Sequence, residues 1–225
     1  MNNWNGIISL LIACIELVLI INIFIFAEKN RFNKITLAFL FILMIYQVLE
    51  FIMCQLAYSS SFLAYCAFID ISFLPALDLY FIYNFFIKKN EGLRYLFFLP
   101  VIFSVYYALV LNSFRVTTCT VFYAVYNYPL GTLYGVYYYL PVALSVFFLI
   151  SYIKKGTNPK KILYAVVLLI GHIIMTIPVI FAFLLAVLKM PGLLNSVESV
   201  MCKFAFFYAL CLTFFALNYK ESINE

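Results

Sequence analysis

Apolar residues in this chain come in long unbroken runs rather than in alternation with polar ones. Seven runs stand out, near 6–27, 35–57, 62–87, 94–111, 132–153, 162–188 and 196–219, and each ends at polar or charged residues. A run that is apolar on every helical face has no side to turn toward water. Crossing a hydrocarbon layer of about 30 Å takes about 20 residues of helix at about 1.5 Å per residue. The pattern therefore predicts an all-α fold: a polytopic membrane protein in which residues 1–225 form a single seven-helix bundle with the lipid bilayer as its surroundings. The linkers are Glu28–Lys34, Tyr58–Ser61, Lys88–Leu93, Asn112–Gly131, Lys154–Lys161 and Lys189–Asn195. The fourth is the longest, and its Tyr123, Tyr126, Tyr128 and Pro129 read as an interfacial cap rather than a span.

Composition agrees: 67% of the residues are hydrophobic and 10% are charged, whereas a soluble domain carries about 25% charged residues. The spans consume most of the 225 residues, leaving no length for a soluble catalytic or nucleic-acid-binding domain. The first run is long enough to span and nothing in Met1–Gly6 is basic, so it is expected to remain as a helix rather than be removed as a signal peptide.

Charge position orients the bundle. Lys29, Arg31, Lys34, Lys88, Lys89, Arg94, Lys154, Lys155, Lys160, Lys161 and Lys220 fall on the odd-numbered linkers and the tail, 11 of the 14 basic residues. Arg115 and Lys189 fall on the other side, and Lys203 lies within the seventh run. Basic residues gather on the cytoplasmic face, so the amino end is expected outside and the carboxyl end inside, in a plasma or inner membrane.

Ionisable groups inside the spans cost roughly 2.5–3.5 kcal/mol each by insertion scales and need compensation. Glu16, Glu50, Asp70, Asp78, Glu198 and Lys203 are such groups, and His172 is a further polar one. By depth, Glu50, Asp70, Asp78, Glu198 and Lys203 lie in the outer half or near the midplane, with Glu16 and His172 near the centres of their helices. A shared, outward-facing polar pocket among helices two, three, six and seven is the economical arrangement. Lys203 is expected to pair with Asp70 or Asp78 of helix three, with Glu50 as the next choice. Gln47 and Glu50, three apart, share a helix face, and Asp70 and Asp78, eight apart, fall on one general face of helix three. Pro75, Pro141 and Pro178 are expected to bend helices three, five and six.

Chemistry beyond that is sparse. The single histidine, His172, reads as a helix–helix hydrogen-bond partner, and metal hydrolases need several such ligands. There is no HExxH, no Gly-x-Ser-x-Gly and no phosphate loop. Neither an enzymatic activity nor a metal, a cofactor or a nucleic-acid partner is expected. Among six scattered cysteines, Cys66 and Cys119 are the expected bridge, tying the long outer linker over the bundle mouth.

Phe73-Leu74-Pro75-Ala76 in helix three, the aromatic-rich linker before helix five and the helix spacing resemble the amino-terminal seven-helix membrane region of certain bacterial sensor histidine kinases. The resemblance implies a sensor that binds a ligand. No output domain is expected after helix seven, so a separate cytoplasmic signalling protein is expected to read the change. Lys203 in helix seven with Asp70 and Asp78 in helix three is similar to the Schiff-base lysine and counter-ion of rhodopsins, but the one tryptophan, Trp4, lies outside the bundle. Small sugar transporters are similar in length, but their Pro-Gln signature is absent here and the prolines fall in other helices. The expected function is a receptor-like sensor module for a small or lipidic ligand. A small proton-coupled carrier using Asp78, Glu16 and His172 is the alternative.

Overall fold

The computed structural model describes residues 4–56, 60–187 and 197–220. Seven helices in this range are long and apolar enough to cross a membrane. In chain order the elements are α1 (Ile7–Phe26), α2 (Arg31–Gln55), α3 (Ser61–Ser72), α4 (Leu74–Ile82), α5 (Phe98–Leu109), β1 (Arg115–Cys119), β2 (Ala124–Asn127), α6 (Gly131–Lys155), α7 (Pro159–Val187) and α8 (Val197–Asn218). The third span is α3 and α4 together, ending in a π-helical turn at Tyr83–Ile87, and a 3₁₀ turn at Glu91–Phe97 leads into α5.

The bundle closes as a ring. α1 packs on α2, α2 on α3 and α4, α4 on α6, α6 on α7, α7 on α8, and α8 returns to α1 while also touching α2. α5 stands aside against α3. Large apolar side chains such as Phe24, Ile102, Phe147 and Phe181 stand exposed on the outside of this ring. Short connections alternate between the two ends. Gly6, the end of α2 and the β1–β2 hairpin share one end. The first turns of α2 and α7 and the last turn of α8 share the opposite end.

Local chemistry sets the helix starts. Asn30 Oδ1 accepts from the Asn33 amide at 2.8 Å, and Asn158 Oδ1 accepts from the Lys160 and Lys161 amides at 3.0 and 3.2 Å. These caps satisfy donors that a helix start leaves open. They begin α2 and α7 a few residues before the apolar runs do, which draws Arg31, Lys34, Lys160 and Lys161 into the first turns.

The three prolines act differently. Pro75 sits in the first turn of α4 and breaks the third span at Phe73. Pro cannot donate, so carbonyls before it lose helical partners. The Ser72 carbonyl instead accepts from the Tyr137 hydroxyl of α6 at 2.6 Å. α6 and α7 continue as helices through Pro141 and Pro178.

The long fourth linker forms an antiparallel hairpin, with Arg115 opposite Asn127, Val116 opposite Tyr126, Thr118 opposite Val125 and Cys119 opposite Ala124. The register shifts between Val116 and Thr118, a bulge that bends a strand locally. Phe114 and Tyr126 are buried beneath it, so the linker covers the bundle end. Gly171 brings the last two helices close: a Cβ there would lie 2.9 Å from Tyr208 Cδ2 and 3.0 Å from Cys211 Sγ. Small residues permit such approach between helices.

Candidate functional site

Among the described residues, two buried hydrogen-bonded centres with charged side chains lie inside the bundle. The first joins α1, α2 and α8. Gln47 and Glu50, three apart on α2, face Ser199 and Lys203, four apart on α8. The Lys203 ammonium donates to Glu50 Oε1 at 2.7 Å, to Gln47 Oε1 at 2.6 Å and to Ser9 Oγ at 2.9 Å. Ser9 donates in turn to Glu50 Oε1 at 3.1 Å, and Ser199 donates to Glu50 Oε2 at 2.9 Å. Gln47 Nε2 donates to the Cys202 carbonyl at 3.1 Å. An ammonium has three donors, and all three of Lys203's are used. Ser9, Gln47 and Glu50 are fully buried and Lys203 is 3% exposed. A buried charge pair persists only when both partners are so completely satisfied.

This centre is wired to the hairpin. The Ser199 hydroxyl that serves Glu50 accepts from the Ala124 amide of β2 at 3.0 Å. One turn beyond Glu50, Cys54 is bonded to Cys119 at the end of β1. The Gly6 amide donates to the Thr120 carbonyl at 3.0 Å. Gly6 has φ +74°, and a Cβ there would sit 3.0 Å from Cys54 Cβ. Only glycine meets both demands without strain.

The second centre joins α4, α7 and α8. Asp78 Oδ2 lies 2.9 Å from His172 Nε2, and Tyr208 donates to Asp78 Oδ1 at 2.5 Å. His172 Nδ1 is 3.0 Å from the Leu168 carbonyl. A carbonyl only accepts, so Nδ1 carries a proton. The contact between Nε2 and Asp78 then holds one proton, and the pair is net neutral whichever partner carries it. The ring of Tyr208 stands edge-on to His172 at 4.2 Å. A cavity of about 20 Å³ is bordered by Pro75 and Asp78 of α4, Met175 of α7 and Cys202 of α8.

The expected site is thus redistributed. Gln47, Glu50 and Lys203 meet in one centre and Asp78 and His172 in the other. Lys203 pairs with Glu50, not with Asp70 or Asp78, because α8 packs against α1 and α2 at that level. Asp70 is half-buried with Oδ2 unpartnered. The break at Phe73 interrupts the single helix face that would have aligned it with Asp78. Glu16 is fully buried with both carboxylate oxygens unpartnered. The side chain of Glu198, and Lys189 as a whole, lie outside the described residues. The bridge is Cys54–Cys119, and Cys66 is a free thiol. Cys54 closes the end of α2 directly below the hairpin, where Cys119 reaches it. In place of one shared pocket, Gln47, Glu50 and Lys203 form one buried centre and Asp78 and His172 another.

Ser9, Ser199 and Tyr208 complete the centres and were missed in the sequence. The spacing of Ser199 and Lys203 is a signal that could have found the first α8 partner. Nothing in the pattern marks Tyr208 among nineteen tyrosines. Among the described residues no group of three or more His, Cys, Asp or Glu side chains is placed to hold a metal ion. No protein-family model, curated protein or solved structure matches the chain.

Proposed function

We propose that this chain is a receptor-like seven-helix membrane module, with its amino end outside and its carboxyl end in the cytoplasm. A ligand acting at the hairpin end changes the packing of α8, and a separate cytoplasmic protein reads the change. The 11-to-2 division of basic residues supports the orientation. The Cys54–Cys119 bond supports it independently, since disulfides persist in oxidising compartments.

The observation that carries the reading is the hydrogen-bond chain from Ala124 through Ser199 and Glu50 to Lys203. It links an extramembrane hairpin directly to a buried ion pair. α8 carries members of both centres, Lys203 and Tyr208, and runs on to the opposite end. A small or lipidic ligand that lifts the hairpin removes a donor from Ser199 and unsettles Glu50. Buried polar networks of this kind have few intermediate states, so a local change becomes a shift of a whole helix.

The test is hydrogen exchange of the full chain in nanodiscs, before and after a membrane-impermeant reductant cleaves the bridge. Exchange is expected to rise in the hairpin and also in the last turn of α8 and the first turn of α2. A rise confined to the hairpin overturns the reading. The second reading is a proton-coupled carrier, favoured by the single proton held between Asp78 and His172. It predicts proton flux into proteoliposomes that is lost in Asp78→Asn, and such flux would displace the receptor reading.

A further inference from the structure

At the end opposite the hairpin lies a cleft of about 760 Å³. Its size falls within the roughly 300–1,000 Å³ usual for small-ligand sites. Arg31, Lys89, Lys160, Lys161 and Lys220 line it, and no acidic residue does among the described residues. Three side-chain amides, Asn84, Asn158 and Asn218, add polar groups to the wall. The floor is aromatic: Phe85 packs on Phe32 and on Tyr219, each at 5.0 Å.

The local electrostatics are unusual for a resting protein surface. Helix amino termini are positive and favour acidic residues in their first turns. The starts of α2 and α7 both border this cleft, and neither has an acid in its first turn. They carry Arg31 and Lys34, and Lys160 and Lys161, instead. Arg31, Lys89, Lys160 and Lys220 therefore gather beside two positive helix ends and repel one another around a single concavity. A bound anion relieves that repulsion at several points at once. Cations placed only to face a membrane surface need no concavity, no converging helix starts and no aromatic floor.

We infer that this cleft is a binding site for a phosphate-bearing anion. The ligand's phosphate lies among Arg31, Lys89 and Lys160, and its less polar part rests on Phe85 and Phe32. The chemistry is shared by two sources, a soluble phosphorylated compound and the headgroup of an anionic lipid. The site is independent of the receptor reading above: binding here is measured without any signal passing along α8.

The experiment uses the full chain in nanodiscs. In phosphatidylcholine discs, inorganic tripolyphosphate is titrated by calorimetry. In discs containing phosphatidic acid, native mass spectrometry counts the anionic lipids retained. Lys89, Lys160 and Lys220 are exposed, and so are Lys88, Lys154 and Lys155 at the same end but outside the cleft. The triple Lys89→Gln, Lys160→Gln, Lys220→Gln is expected to weaken binding at least tenfold. The triple Lys88→Gln, Lys154→Gln, Lys155→Gln is expected to weaken it less than threefold. Replacement of the three cleft lysines by arginine is expected to retain binding, which separates charge from folding. Tripolyphosphate binding assigns a soluble source, and selective lipid retention alone assigns a headgroup. Binding of neither probe, or equal losses in the two glutamine triples, overturns the inference.

Discussion

The Lys203 ammonium lies 2.7 Å from Glu50 Oε1 while its other two donors are taken by Gln47 and Ser9. Removing one member of such a pair strands a buried charge, at a cost of about 3–5 kcal/mol. Lys203→Met and Glu50→Gln are each expected to destabilise the bundle by that amount. The double variant is expected to lose less than the sum of the singles. A denaturant titration in mixed micelles with a double-mutant cycle measures this. Single variants within about 0.5 kcal/mol of the parent would show that the pair is not buried as described.

Tyr208 donates to Asp78 on the side away from His172. Tyr208→Phe keeps the ring against His172 and removes only the donor. A hydrogen bond to a charged group contributes about 1.5–3 kcal/mol, and a loss in that range is expected. Nitrogen NMR of His172 is expected to keep its Nδ1 proton, because the Leu168 carbonyl still accepts it. A switch to an unprotonated Nδ1 would contradict the proton placement.

Gly171 of α7 packs directly on α8, with Tyr208 and Cys211 within 3.0 Å of where a Cβ would stand. Gly171→Ala is expected to cost about 1–3 kcal/mol through overpacking, and Gly171→Val more. Because the contact is Tyr208 itself, the alanine variant is also expected to weaken the Tyr208→Phe effect, since the hydroxyl is already displaced. Additive losses in the double variant would refute that link.

Non-reducing peptide mapping is expected to recover Cys54 joined to Cys119 and Cys66 as an alkylatable thiol after unfolding. A Cys66–Cys119 peptide would overturn the hairpin placement. Replacing Cys54 and Cys119 together by alanine is expected to cost about 2–4 kcal/mol, read by the same titration.

The helices were legible in the sequence because each is a long run apolar enough to cross a membrane. Every residue of a span must be apolar or compensated, so the runs announce themselves, and the seven spans lie within a few residues of their predicted ends. Depth was legible for the same reason, since rise per residue is fixed. Glu50 and Lys203 were correctly placed near one level. Lateral neighbourhood was not legible. Nothing in the chain states that α8 sits between α1 and α7 rather than beside α3, so Lys203 was assigned to the wrong acids. The same gap explains the cysteines: Cys54 and Cys66 lie near the same end, and only the packing of the hairpin over α2 decides between them. The Phe73 break was signalled by Pro75, but its effect on the shared face of Asp70 and Asp78 was not. A π-helical turn at Tyr83–Ile87 and the hairpin register were silent, because aromatic residues serve in helix, strand and interface alike.

The covalent tie between Cys119 and Cys54 stands beside both inward contacts of the hairpin: Cys119 precedes Thr120, whose carbonyl takes the Gly6 amide, and lies opposite Ala124, whose amide reaches Ser199. An anchor at that point pins the stretch of hairpin that touches the bundle, and the longest lever arm is left to the far strand ends at Arg115 and Asn127. One bond therefore serves two seams, and cutting it is expected to loosen the Thr120 and Ala124 contacts together.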